Sequence, residues 1–377
     1  MRALRLEQVV ARSLAAHALV QPAVSIDVAI VAVAGIYGSA PTSQLGLAAR
    51  IDRYLPADLE RERLESRSIL RVPGMRGSVF LAPRALAPAF LALSRPRTAR
   101  RMLGGIGVDD RELARLGALI EAILAEERLP SARIRERLGK EDPGGPVMTL
   151  LLRTMAHEGR IVSAEPMGGV SATAYRYACM ADWAPDLAEI PDVDSALRVM
   201  TPMWMAANGP GSIADLAWWA GVTKGQSRAA LEAMGAAEVD VDGLSEPQWA
   251  TEEVVAGADA ATSAGAIRLL PVWDAWLMGR RERARVLDAC IRPFVVDRSG
   301  NVTNTVIFDG RVVGTWDLVA EQLRVWLAEP VEPHRLAAAA ERLRPVLDWY
   351  EIKHVDAPRP LDEGGQNAFR SPLQLAG

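Results

Sequence analysis

The residue type whose spacing most plainly carries chemistry in these 377 residues is arginine. SRPRTARRM gathers Arg95, Arg97, Arg100 and Arg101, and GRRERAR gathers Arg280, Arg281, Arg283 and Arg285. A guanidinium is a planar fork that grips two phosphate oxygens at once, so such clusters suit a phosphodiester backbone. The plainer reading is a solvated charged face, with Glu282 balancing the second cluster. The formal net charge is -4, so a polyanion has to be met by local clustering of cations rather than by the average. Lysine occurs only at Lys140, Lys224 and Lys353, an arginine bias that, with the abundance of alanine, fits a GC-rich genome.

Other chemistries find little support. His17, His157, His334 and His354 are scattered, without His-x-x-x-His or Cys-x-x-Cys spacing, so no metal and no cofactor is expected. GGIGVDD near Gly104 lacks the GxGxxG pattern and follows no predicted strand, and no G-x-S-x-G nucleophile turn occurs. The two cysteines, Cys179 and Cys290, are too few for a disulfide framework, which points to the reducing cytoplasm. The most apolar run, Val28 to Gly38, is far short of the roughly 20 residues of a membrane span. A buried helix is expected there.

The elements that must carry these side chains follow from periodicity. Leu4, Val9, Leu14 and Val20 recur at helical spacing, a second helix runs from about Ser25 to Ile36, and a third begins near Ser43 with Leu45, Leu47 and Ile51. SILRVP and GSVFLAP then flank a Gly-Met-Arg turn as a hairpin, with Arg76 at its tip able to reach a groove or a phosphate. The order repeats: a helix opened by Asp109 and Asp110, two more helices, then RIVSAEP and SATAYRYA around Met167 to Gly169. In GSIADLAWWAGVTKGQSRAALEAMG, Gly221 suits a tight inter-helix turn and Thr223 caps the second helix, with a strand in AAEVDVDG. From about Ile267 short apolar runs alternate with turns at Ser299 to Asn301 and Asp309 to Arg311; a helix from Pro333 to Tyr350 and a loosely ordered tail beyond Pro358 follow. The fold class is therefore α+β: winged helices over 1–105, 106–190 and 191–265, then a small antiparallel β-barrel-like domain with a C-terminal helix over 266–377. Trp204, Trp218 and Trp219 are expected in the core, and of Trp273 and Trp276 either both pack or one faces a partner.

Four segments, in order along the chain, resemble the AlkZ/YcaQ-type winged-helix family of bacterial DNA glycosylases. RVPGMRGSVFLAP (Arg71 to Pro83) is similar to its Arg-x-x-x-Met-Arg-Gly-Thr wing, and GPGSIADLAWWAG (Gly209 to Gly221) to its third helix-turn-helix. RLLPVWDAWLMGRRER (Arg268 to Arg283) resembles its Leu-Leu-Pro-x-Phe-Asp segment, and GNVTNTVIFDGRVVGTW (Gly300 to Trp316) its β-domain hairpin. The resemblance implies a monomer that binds damaged double-stranded DNA and excises alkylated purines, bulky adducts and crosslinks included. It also implies a catalytic Gln-x-Gln or Gln-x-Asp pair after the second helix. Tyr37 and Ser39 stand in its place, and Ser78 and Phe80 stand where the wing often ends in Thr-x-His.

An alkylated purine is already a good leaving group, so the protein has to hold a water and stabilise positive charge growing on the sugar. Tyr37 and Ser39 can hold a water by hydrogen bonds but offer less electrostatic stabilisation than an amide or carboxylate. Gln44 would supply the missing amide if the loop folds back, giving Tyr37, Ser39 and Gln44 as the lesion-site set. The DNA-contacting set is Arg76, Ser78, Arg97, Arg100, Arg101, Arg280 and Arg281. The alternative is a winged-helix DNA-binding protein without the chemistry. A regulator of that kind is usually a dimer on a palindromic site, and no heptad segment is visible here.

Overall fold

The computed structural model describes residues 3–39, 42–94, 96–168, 174–262 and 264–363; the side chains of residues 96–99 and 363 are outside the description. The fold is mixed α+β, and the chain forms two compact units, residues 1–58 with 197–377, and residues 59–196.

In the discontinuous unit, helices Leu6–Ala16, Ile26–Ala32 and Thr42–Ala48 follow the expected order, but the second ends at Ala32 rather than Ile36, which lies in a strand, and it exposes Val28 and Val31 instead of being buried all round. Every side chain of Thr42–Ala48 is buried, so this helix is a scaffold and presents no polar face. Helix Ile213–Ala220 is closed by reciprocal bonds between Ser212 and Asp215 at its start and by Gly221 at φ 76° at its end. Thr223 and Gln226 form the same reciprocal cap on Lys224–Ala233. Strand Ala237–Val241 follows, antiparallel to Gln248–Ala250 and parallel to Ala3–Leu4. The expected helix–turn–helix–strand order is thus present.

The remaining sheet is six-stranded and curls into a half barrel. Thr305–Phe308 lies antiparallel to Ile267–Leu270 on one side and to Arg311–Val319 on the other. Their hairpin turns through Asp309 and Gly310 at φ 45° and 84°, two positive values that an Asp-Gly pair tolerates and that match the twist of the strands. Gln322–Leu327 pairs next to Arg311–Val319 and receives His354–Val355 and Arg359–Pro360 in parallel. The segment just beyond Pro358, expected to be loose, is therefore hydrogen-bonded. The expected single helix from Pro333 to Tyr350 is two, Pro333–Arg342 and Arg344–Trp349, because Pro345 brings no N–H and suits only the first turn of a new helix.

In the continuous unit, Ile69–Pro73 and Val79–Pro83 form the expected hairpin in register Val72↔Phe80. Helix Asp110–Glu126, capped by Asp109, projects Leu113, Leu116, Ile120 and Leu124 onto Ile134, Leu138, Leu151 and Met155. The hairpin Ile161–Met167 and Ala174–Cys179 closes this core; part of its expected turn, from Gly169 on, lies outside the described residues. Among the described residues no helix is long and apolar enough to cross a membrane.

Candidate functional site

Strand Ile36–Tyr37 leads through Ser39 toward helix Thr42–Ala48, and the backbone oxygen of Ser39 accepts from the amide of Ser43. Tyr37 and Ser39 are half-buried. Beneath them the helix is tied down by charge. Arg50, wholly buried just past its end, donates from Nη1 to the Gly46 carbonyl at 2.9 Å and grips both oxygens of Asp274 at 2.8 Å each. The Asp274 oxygens also accept the amide of Trp276, capping the short helix Ala275–Met278. Two distant segments are thereby fixed by one bidentate pair.

Directly before Asp274 stands Trp273, at φ 57°. A bulky residue in this region costs on the order of 1–3 kcal/mol and persists only where its surroundings enforce it. Its ring lies 6.2 Å from the Tyr37 ring at 26°, a stacked arrangement. The expectation that either both Trp273 and Trp276 pack or one faces a partner resolves into two distinct placements. Trp276 is buried with Nε1 on the Gly310 carbonyl at 2.9 Å, while Trp273 is half-buried against Tyr37. Trp204 and Trp219 are in the core as expected, and Trp218 is half-buried under the Arg283 guanidinium.

Gln44 belongs to the same region with a changed chemistry. It is 9% exposed, and its Oε1 accepts from the Tyr54 hydroxyl, so the amide oxygen that could face a growing cation is already engaged. Ser78 and Phe80 part company: Ser78 is half-buried beside the turn, while Phe80 is buried with its ring 5.7 Å from Phe90. Gly74 lies so close to this pair that a Cβ there would stand 2.8 Å from Phe80. At Phe80 the chain uses the side chain for packing. Arg76, half-buried, occupies the turn at φ 58°.

The arginine clusters divide unexpectedly. Of the four arginines of GRRERAR only Arg281 is exposed. Arg280, expected to contact DNA, is 1% exposed with Nη2 on Asn208 at 3.2 Å, and burial with the nearby Arg285 charge lowers its pKa to about 9. No phosphate reaches it there. Arg283 donates to the Leu277 and Gly300 carbonyls, and Arg285 to the Pro210 carbonyl and Gln248. Asp215 holds the backbone amides of Arg281 and Glu282 at 2.9 and 2.8 Å. In the other cluster Arg101 is exposed, and Arg100 is half-exposed and paired with Glu158 at 2.5 Å and Asp110 at 3.2 Å. The side chains of Arg95 and Arg97 lie outside the described residues. Among the described residues no group of three His, Cys, Asp or Glu is placed to hold a metal ion.

Sequence reasoning missed Arg50, Asp274 and Tyr54. One signal was present for Arg50: a lone charge ending the apolar stretch LGLAAR must find a partner when that stretch is buried.

A curated protein and a solved structure, both AlkZ from Streptomyces sahachiroi, bear on this arrangement. The interstrand DNA cross-link repair glycosylase is 28% identical over 226 residues, 58% of this chain and 57% of that protein, so the match spans little more than half of the relative's length. The solved structure of DNA glycosylase AlkZ superposes with a TM-score of 0.77 at 21% identity, covering 94% of this chain and all of that one, a likeness of fold. The family model described as DNA glycosylase AlkZ-like matches residues 32–349, from just before the Tyr37 strand to the last helix, and the chain belongs to that family.

Proposed function

We propose that the protein is a monofunctional DNA glycosylase that hydrolyses the N-glycosidic bond of alkylated purines in double-stranded DNA, as a monomer in the cytoplasm and without metal or cofactor. The observation that carries this reading is the half-buried Tyr37–Ser39 loop, braced by Trp273 and the Arg50–Asp274 pair, at the place of the family's catalytic pair. The Tyr37 hydroxyl and Ser39 Oγ hold a water. Its oxygen bonds to the sugar C1′ as the bond to the purine nitrogen breaks, the bonding pair neutralises the alkylated base, and a water proton passes to solvent. Gln44, held by Tyr54, shapes the site more than it meets the charge. Since a relative at 28% identity is named for interstrand cross-link repair, bulky adducts and crosslinks fall within the proposed lesion class.

The helix-and-hairpin runs are read as three winged helices over 1–105, 106–190 and 191–265, ahead of a β-domain over 266–377. Arg76, Ser78, Arg97, Arg100, Arg101 and Arg281 are the proposed contacts to the duplex. Arg280 is dropped from that set because it is buried.

The test is release of modified base from duplex DNA carrying a guanine alkylated on a ring nitrogen, in chelator. Tyr37→Phe, Ser39→Ala and Gln44→Ala combined should lower release by about 10²-fold or more. Release unchanged in that variant overturns the assignment of the site. No release by the parent, with salt-sensitive duplex binding intact, favours a DNA-binding protein without the chemistry, a reading to which the absence of the Gln-x-Gln pair lends weight.

A further inference from the structure

We propose that Trp273 is a positioning residue of the glycosylase site, which spends backbone strain to fix the orientation of the Tyr37 phenol. The inference rests on the reading of Tyr37 as a water-holding group. Its starting point is that Trp273 is a large aromatic residue held at φ 57°, a conformation that glycine adopts freely and tryptophan does not. Such strain, when a site over-determines it, marks a side chain whose direction matters.

The over-determination can be traced bond by bond. The amide of Val272 donates to Asn304 Oδ1 at 2.7 Å, and the amide of Trp273 to the Val302 carbonyl at 3.2 Å. Next along the chain, Asp274 is locked in the bidentate pair with Arg50. The indole is fixed at its far end as well: Nε1 donates to Asn301 Oδ1 at 3.2 Å, and Asn301 Nδ2 and its backbone amide both donate to Asp297 at 2.8 Å. What this chain of bonds holds in place is the ring stacked on Tyr37. The core tryptophans Trp204 and Trp276 also have bonded indole nitrogens, so what sets Trp273 apart is a left-handed backbone beneath a half-buried ring stacked on Tyr37. Tyr37 itself is half-buried on a two-residue strand, with its ring against that of Trp273. With a serine in place of one of the family's amide pair, the direction of the phenol decides whether a water is held in line with the sugar.

The test compares Trp273→Ala, Trp273→Phe, Asn301→Ala and Tyr37→Ala in single-turnover base release at saturating protein. The probe is a duplex oligonucleotide with one guanine methylated on its imidazole nitrogen, and duplex Kd is measured beside it. Loss of positioning predicts a fall in rate of about tenfold to 10²-fold for Trp273→Ala with Kd within about threefold. Trp273→Phe, which keeps a ring on Tyr37, should recover most of the rate; Asn301→Ala, which frees the indole nitrogen and also removes the Nδ2 bond to Asp297, should fall between. A parental rate in Trp273→Ala, or no rescue by Trp273→Phe, overturns the inference while an inactive Tyr37→Ala leaves the site reading standing. Parental rates in both alanine variants overturn the site reading and the inference together. Should Trp273→Ala fail to fold, Asn301→Ala decides, and a parental rate there overturns the inference.

Discussion

The two units place their charges in opposite ways. In the continuous unit the helix Asp110–Glu126 buries only aliphatic side chains, and its ion pairs lie outside that core: Arg115 with Glu112 and Glu141, all at least 40% exposed, and Glu121 with a partly buried Arg160. In the discontinuous unit Arg50, Asp274, Asp215, Arg280, Arg283 and Arg285 are all buried. Exposed pairs contribute about 1 kcal/mol at most, so the first unit is held by apolar packing. The second is held in part by charges that became favourable only once carbonyls and carboxylates from distant loops were brought to them. The difference teaches where precision is built. Packing tolerates small shifts, whereas a bidentate pair between residues 224 positions apart does not, and the candidate site stands on that pair.

The sharpest way to break this contrast is Asp274→Ala. It leaves Arg50 buried without its partner and removes the cap of helix Ala275–Met278, so a loss of about 3–5 kcal/mol is expected. Arg50→Met combined with Asp274→Leu should recover much of it, since no charge is then stranded. Denaturant titration of the single and double variants gives the comparison. A single-variant loss below about 1 kcal/mol would mean that the pair behaves like an exposed one. The counterpart in the other unit is Ile120→Ala, which truncates a fully buried side chain among Leu116, Leu124, Ile134 and Met155 and should cost about 3 kcal/mol. Hydrogen exchange read by segment should show the loss confined to residues 59–196.

What was legible in the sequence is what local chemistry decides. Gly221 and Thr223 end one helix and start the next wherever they stand, and Asp309-Gly310 makes its turn from two residues alone. Arg280 was misread because its acceptor is far away: Asn208, like the Pro210, Gln248, Leu277 and Gly300 that hold Arg283 and Arg285, is not marked by any spacing around Arg280 to Arg285. An arginine run looks the same in sequence whether it meets solvent, phosphate or carbonyl groups. The Gln44–Tyr54 bond and the Tyr37–Trp273 stack were hidden for the same reason. The proline that splits the last helix was in plain view at Pro345 and needed only to be weighed against the apolar periodicity around it.

The smallest expected effect concerns a titratable group inside the apolar unit. His157 ends helix Gly145–His157, 4% exposed, with Gly77 of the first hairpin turn close to its ring. Burial, and then the charge of Arg153, lower its pKa to about 4 from the ordinary 6.5. The unfolded chain therefore binds this proton over a range where the folded one does not. Stability from this group is whole above pH 6.5 and is lost as pH falls toward 4, the sign expected for a histidine held neutral. The shift would correspond to about 3 kcal/mol at face value; partial access of solvent to the ring reduces that to about 2 kcal/mol. His157→Gln should flatten the acid limb of the stability curve between pH 6.5 and 4, read from denaturation midpoints of residues 59–196 by hydrogen exchange. An unchanged limb would mean that solvent reaches the imidazole, and that the contrast between a dry apolar unit and a charged one is too simply drawn at this end of the first hairpin.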